Sequence, residues 1–541
     1  MNTIKSVTSN HLSQLTSVRS EIRHIDPKNN FGDVDLLAQI GYKQELKRHY
    51  STLQVFGIAF SIMGLLPSIS STINTGLEAG SAGLVWGWFL ACIFIFSTGT
   101  SLSFLGSSMP TSGGLYYYTN YYSPQCIRVP LSFMVGCSNS LGLIGGSCAI
   151  TYGLSTEILS AVSIARDGNF DITPARCYGI YVGAFVLNMI IASLTTKHCA
   201  KLQSISIVVN VVLVLIFIIA VPIGVSKHHN FNSGSYIFTK FENSRNYSMS
   251  WSFALSWMPA IWTIGSFDSP IHCSEEAKNA QKSIPVGILG SIGACWVLGW
   301  IVVIVCALCI KNGNVEAVLA SNSGNALAQI CADSLGKGFA VAMMSLIAFG
   351  QFLMAISIMI ALSRQVWSFA RDDGLPLVSN IVKYVNPKVQ VPINATFFSG
   401  ILGIILGLLV LIGPAGSGAL FSLGIASNTM SFLIPIIASM TSGRKRFVNG
   451  PFWLGKYSWI INFVTVCWLS YTIVLCMFPD NVPVTRESMN YTAVINPAVW
   501  IISLIYYYVW GYKSYTGPKS NLDDLEGVSV YNVDEVLDNK Y

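Results

Sequence analysis

Hydrophobic and polar positions fall into long blocks along this chain. Twelve apolar segments lie near 54–75, 82–107, 128–163, 177–195, 202–224, 251–273, 284–310, 338–368, 392–413, 418–441, 457–478 and 496–512. Each holds the roughly 17–25 residues that a helix needs to cross a bilayer. The pattern predicts a polytopic, all-α membrane protein with twelve spans. Its core is expected over 51–441 (spans one to ten) and two further helices over 442–512. Polar tails over 1–50 and 513–541 flank them.

Two of the blocks are interrupted. The sixth, WSFALSWMPAIWTIGSFDSPIHC, carries Gly265, Asp268 and Pro270 in mid-run, and the first carries Gly57, Gly64 and Pro67. Gly and Pro weaken a helix, and a carboxylate facing lipid is costly. Unwound backbone inside a membrane is tolerated only around a protein-lined cavity. Interrupted segments five spans apart are the sequence signature of a 5+5 inverted repeat, in which helices one and six meet near the midplane. Freed NH groups there face an anion and freed carbonyls a cation, which suits a zwitterion. The competing reading is two unrelated kinked helices.

Composition agrees. Only 10% of the residues are charged and 52% are hydrophobic, against roughly 25% charged in soluble domains. The net charge of +6 follows from basic cytoplasmic loops and calls for no nucleic acid. With the N-terminus inside, about 23 of the 31 Lys and Arg fall on the cytoplasmic side. Sequons at Asn246 and Asn490 then fall in outer loops, accessible to glycosylation, and Asn394 at an inner boundary. The first fifty residues carry no signal-peptide pattern. Their end, GYKQELKRHY, is read as an ordinary charged flank rather than a surface helix. The thirteen cysteines show no metal spacing. Cys306 and Cys309 are read as packing, and a Cys177–Cys331 disulfide stays open. No P-loop, H-E-x-x-H or G-x-S-x-G motif supports an enzyme.

Five stretches carry a family resemblance: QIGYKQELKRHYSTLQVFGIAFSIMGLLPSI (39–69), SSMPTSGGLYYY (107–118), IWTIGSFDSPIHCSEEAKNAQKSIP (261–285), SRQVWSFARDDGLP (363–376) and VNPKVQVPINA (385–395). With these the chain resembles the amino acid/choline transporter family of the amino acid–polyamine–organocation superfamily, in its fungal branch of GABA and choline permeases. The similarity runs from about residue 34 to GPKSNL at 517–522. It implies a leucine-transporter-like fold, alternating access, a proton gradient as the driving force and no bound cofactor. Trp262 matches a substrate-stacking aromatic and Asp268 an acidic gating residue. Ser61, Ile62, Met63, Gly64 and Leu65 match the unwound part of helix one. Thr263, Ile264, Gly265 and Ser266 match the carbonyl-lined bend of helix six. Asn139 and Gln351 face the same region if the fold holds. Two positions depart from the superfamily: Phe104 stands where a Glu is common, and Asn210 where several proton-coupled relatives place a Lys.

Other residues have simpler readings. Glu275 and Glu276 are expected to cap the sixth span and pair locally with Lys278 or Lys282. Arg364, Arg371, Asp372 and Asp373 suggest an inner ion network. His272 is read as a hydrogen-bonded histidine and Tyr116–Tyr118 as an interfacial aromatic belt. In related permeases, lysines such as Lys5, Lys28 and Lys43 accept ubiquitin, which implies a ubiquitin ligase as partner. The expected activity is import of a small amine-bearing solute across the plasma membrane (or the vacuolar membrane), GABA or another amino acid first. Choline or putrescine is the alternative, and a nutrient sensor the reading from another class.

Overall fold

The first span starts where the chain supplies a cap. The Ser51 hydroxyl accepts from the Gln54 amide while the Gln54 side chain takes the Ser51 amide, satisfying donors that a helix start leaves open. The fourth span, Pro174–Ala192, starts on Thr173, whose hydroxyl accepts from the Arg176 amide. The computed structural model describes residues 32–386, 390–479, 481–485 and 489–519, so Lys5, Lys28 and the acidic stretch 523–538 lie outside the described residues. The chain is all-α, with no strand among the described residues. Eleven stretches are long and apolar enough to cross a membrane, and a twelfth, the sixth in order, falls short only because it is broken.

Burial sorts the spans. In the third, Arg128–Ala165, 89% of the most apolar window is covered, against 33% in the fifth, Thr196–His228. The third, first and eighth (Lys337–Arg371) therefore form the centre. The fifth turns Ile205, Val208, Val212, Ile216, Ile219 and Ile223 outward, an apolar stripe at helical spacing suited to lipid. Small residues let the central helices touch: a Cβ on Gly424 of the tenth span, Pro414–Met440, would lie 3.0 Å from the Gly146 amide nitrogen.

Residues 33–50 are not a loose charged flank, and that expectation is corrected. Leu36, Leu37, Ile40, Tyr42, Leu46 and Tyr50 are buried against the bundle. Tyr50 pairs with Ala277, and Arg48 donates to the carbonyls of Ser274 and Ala277. The Asp33 carboxylate accepts from the amides of Asn279 and Ala280, at the positive end of the seventh span, Ala280–Cys309. The side of the bundle that these residues cover is called the N-terminal face below. Tyr515 is also buried there, its hydroxyl bonded to Ser132.

Two more expectations give way on the same face, and the disulfide left open elsewhere is not formed. Tyr116, Tyr117 and Tyr118 are buried rather than a surface belt, because Gly114–Tyr122 is a short helix folded under the bundle. Glu275 and Glu276 do not pair with Lys278 or Lys282; they reach Arg371 (3.0 Å) and Arg364 (2.7 Å) on the eighth span. All thirteen cysteines are free, Cys177 and Cys331 included. At the opposite face, the Asn490 side-chain amide donates to the carbonyls of Cys476 and Phe478.

Candidate functional site

The first span consists of Thr52–Met63 and Leu65–Leu77, joined at Gly64 in the left-handed region (φ 40°). A Cβ on Gly64 would sit 2.6 Å from Met354 Sδ, so the turn is open only to glycine. The break frees the Met63 carbonyl, which the Ser68 hydroxyl takes at 2.7 Å. Beyond Gly64, the amides of Leu65 and Leu66 open a helix and have no intrahelical acceptor. The sixth span is Met249–Leu255 and Met258–Thr263, then an unwound stretch, then Ser269–His272. Ser266 lies at φ 51° within the gap. No backbone bond to the carbonyls of Thr263, Ile264 or Gly265 is found among the described residues.

The halves pack in register. Met258–Thr263 lies against Leu65–Leu77, and Ser269–His272 against Thr52–Met63 and the eighth span. Between the breaks is a small cavity, about 60 Å³. Ile62, Trp262, Ile264, Gly265 and Ser266 line it, with Ile150 of the third span and Asn428 of the tenth. Trp262 meets Phe421 at 4.5 Å between ring centroids. No charged side chain lines the cavity, so the charges of a zwitterion there would be met by backbone dipoles.

Below it, toward the N-terminal face, runs a hydrogen-bonded chain. Asn139 Nδ2 donates to Asn428 Oδ1 (3.4 Å) and to Asp268 Oδ2 (3.2 Å). His272 Nε2 lies 3.0 Å from the same Asp268 oxygen, and its Nδ1 lies 3.1 Å from the Ser112 carbonyl. Both ring nitrogens thus face oxygen atoms, and His272 ties Asp268 to the backbone at Ser112. The Ser112 amide then donates to Glu275, which pairs with Arg371. The Arg371 guanidinium lies over the rings of Tyr42 and Trp367. Beside it, Asp372 accepts from the Tyr42 and Tyr116 hydroxyls and the Lys519 amide. Burial pushes its carboxyl up to about 6, against the opposing pull of Arg371 and these donors.

Five of the candidate residues thus form cavity wall: Ile62, Trp262, Ile264, Gly265 and Ser266. Gly64 shapes the break, with Met63 and Leu65 on either side of it. Ser61 and Thr263 are buried with hydroxyls that find no partner. Asp268 and Asn139 sit one layer below the cavity. Gln351 is not in the wall; its amide donates to the Ile150 carbonyl, at 3.0 Å. Phe104 packs against Phe452 and Trp453, an aromatic cluster with no place for a carboxylate. Asn210 donates to Ser206 of its own helix. Sequence reasoning passed over Asn428, whose signal was a polar residue in the apolar tenth span. It also passed over Glu157, a buried carboxyl in the third span.

The sequence profile of the amino acid permease family matches residues 50–502. The chain is 49% identical to the GABA-specific permease of Saccharomyces cerevisiae, over 97% of this chain and 94% of that protein. It is 33% identical to an uncharacterized amino-acid permease of Schizosaccharomyces pombe, over 93% of this chain and 91% of the relative. To amino-acid permease 2 of Neurospora crassa it is 30% identical, over 91% and 90%. Apolar spans around a broken-helix cavity and a family match over most of the length lead to one statement: the chain is an integral membrane protein of the amino acid permease family.

Proposed function

We propose that this permease imports GABA, or a closely similar small amino acid, across the plasma membrane by proton-driven alternating access, with both termini cytoplasmic. The observation that carries the reading is the cavity between the two breaks, which is lined by the unwound stretch of the sixth span with its free carbonyls, lies next to the helix start that follows Gly64 and has no charged side chain in its wall. A flexible amino acid with separated charges suits that division. The likeness to the GABA-specific permease of yeast supports GABA as the first substrate to test. The contact of the Asp268 carboxyl with the His272 imidazole, one layer from the cavity, supports proton coupling.

Uptake of radiolabelled GABA by cells lacking their own permeases, at two external pH values, tests the reading. Saturable uptake that rises at the more acidic pH is expected, with choline and putrescine as weak competitors. Uptake indifferent to pH, or choline displacing GABA, overturns it. Lys43 is exposed on the N-terminal face and fits regulation by ubiquitin. Turnover left unchanged by Lys43→Arg removes that role.

A further inference from the structure

The third span presents one face to the transport axis. Asn139, Gly146, Ile150 and Glu157 fall along it. From Asn139 to Glu157 is eighteen residues, five full turns and about 27 Å of helix. Gly146 and Ile150 line the cavity, and Asn139 holds Asp268 below it. Glu157 therefore stands about two turns above the cavity, toward the face opposite the N-terminal one. It is completely buried, and neither carboxyl oxygen holds a well-formed hydrogen bond among the described residues, although the Ser70 hydroxyl is within reach.

Among the described residues no countercharge acts on it. The Ser70 hydroxyl is the polar group that faces it. Leu65–Leu77, the ninth span (Ile393–Ile412) and Pro414–Met440 carry no ionisable residue. On Ala326–Leu335 there are Cys331, a free thiol, and Asp333, which accepts from Gln329. On Pro174–Ala192, Arg176 is bonded to the Asp171 carbonyl, and Cys177, Tyr178 and Tyr181 are the other titratable groups. On Lys337–Arg371, Lys337 pairs with Asp167, while Arg364 and Arg371 lie at the far end. None of these acts on Glu157. A carboxylate left alone in so dry a place is too costly to stay ionised and holds a proton instead.

Above it is a lid made of neutral bonds. The Asn325 amide donates to the Ser70 carbonyl and hydroxyl (3.0 and 3.1 Å). The Ala326 amide donates to Asn74 (3.1 Å), and the Ser160 hydroxyl to the Ser323 carbonyl (2.8 Å). Because Ser70 Oγ accepts from Asn325, its own hydrogen is free to turn to the carboxyl. Parting these bonds would hydrate Glu157; restoring them seals it.

We infer that Glu157 is the proton-loading group of this carrier on the side opposite its N-terminal face. With the lid parted, the carboxylate takes one proton from bulk water. The closed lid then traps the neutral acid, and the proton returns to water when the site is next hydrated. The inference rests on the proton-driven reading above. It adds a carboxyl on the other side of the cavity from Asp268 and His272.

The test uses the full-length chain reconstituted in liposomes, with radiolabelled GABA as probe. Glu157→Gln is expected to lose accumulation driven by an imposed pH gradient by an order of magnitude or more. It should still exchange external label for internal GABA. Glu157→Asp should accumulate GABA with a displaced pH dependence. A Gln variant that accumulates like the wild type overturns the inference, as does one that loses exchange and accumulation together. An infrared measurement bears on the proton alone. Near neutral pH, the wild type should show the carbonyl band of a buried carboxylic acid, shifted in Glu157→Asp and missing from Glu157→Gln. A wild-type spectrum without that band overturns the inference whatever the substrate. A wild-type chain that exchanges no GABA sinks the substrate reading, and the infrared band then decides the inference by itself. If Glu157→Gln does not fold, the pH profile and band of Glu157→Asp decide, and an unchanged profile counts against.

Discussion

The two sides of the cavity are closed by different chemistry. On the N-terminal face, Glu275–Arg371 and Glu276–Arg364 are buried ion pairs, tied to residues 33–50 through Tyr42 and Arg48. On the opposite face, near the cavity, the closure is neutral: Asn325 on Ser70 and Ala326 on Asn74. The charged pairs there, Arg245 with Glu78 and Lys337 with Asp167, both at 2.6 Å, lie further out at the span ends. Removing one partner of a buried ion pair costs about 3–5 kcal/mol, whereas a neutral hydrogen bond contributes about 1. The N-terminal closure therefore opens as a unit or not at all, while the opposite closure can part bond by bond.

The largest effect should come from the charged side. Arg364→Ala leaves Glu276 buried and unpaired, at a cost of about 3–5 kcal/mol, and should strip the protein from the membrane fraction. Adding Glu276→Gln should recover much of the loss in a thermal-melt assay. Next, Gly64→Val should abolish uptake while the protein still reaches the membrane, since no side chain fits beside Met354 at that φ. Uptake retained by this variant would mean that the break is not where substrate binds. On the neutral side, Asn325→Ala loses two bonds to Ser70 and the cap on the Ala328 amide, about 2–3 kcal/mol together. Amide hydrogen exchange over Ala326–Leu335 should quicken while the N-terminal face keeps its protection.

The smallest effect concerns pH. Asp372 binds its proton more tightly folded than unfolded. Its contribution to stability is therefore complete below about 3.8 and is lost as pH rises through about 6. Asp372→Asn should remove that slope from melting temperatures measured across the same window. An unchanged slope would show that burial does not dominate at this carboxyl.

How much of this was legible beforehand follows from chain distance. The two breaks could be read because Gly64 and Gly265–Pro270 act on their own helices. The ion network could be read only by its members. Its pairings join residues 88 and 96 apart, whereas local spacing favoured Lys278 and Lys282. Residues 33–50 look like a charged flank because Leu36, Tyr42 and Leu46 are scattered among charges, and the partners of Gln44 and Arg48 lie more than two hundred residues on. Asp268 was placed in the cavity because it follows the bend directly. Its depth depends on Asn139 and His272, which only packing brings together. Glu157 left little trace, since a single acid near the end of a 38-residue helix reads as a boundary charge until the lid over it is seen.

The most direct test of the central claim is a structure determined with GABA bound. The account predicts density between the two breaks, with the carboxylate at the amides that follow Gly64 and the ammonium at the carbonyls of Thr263, Ile264 and Gly265. Density elsewhere, or either helix wound continuously through its gap, would contradict it.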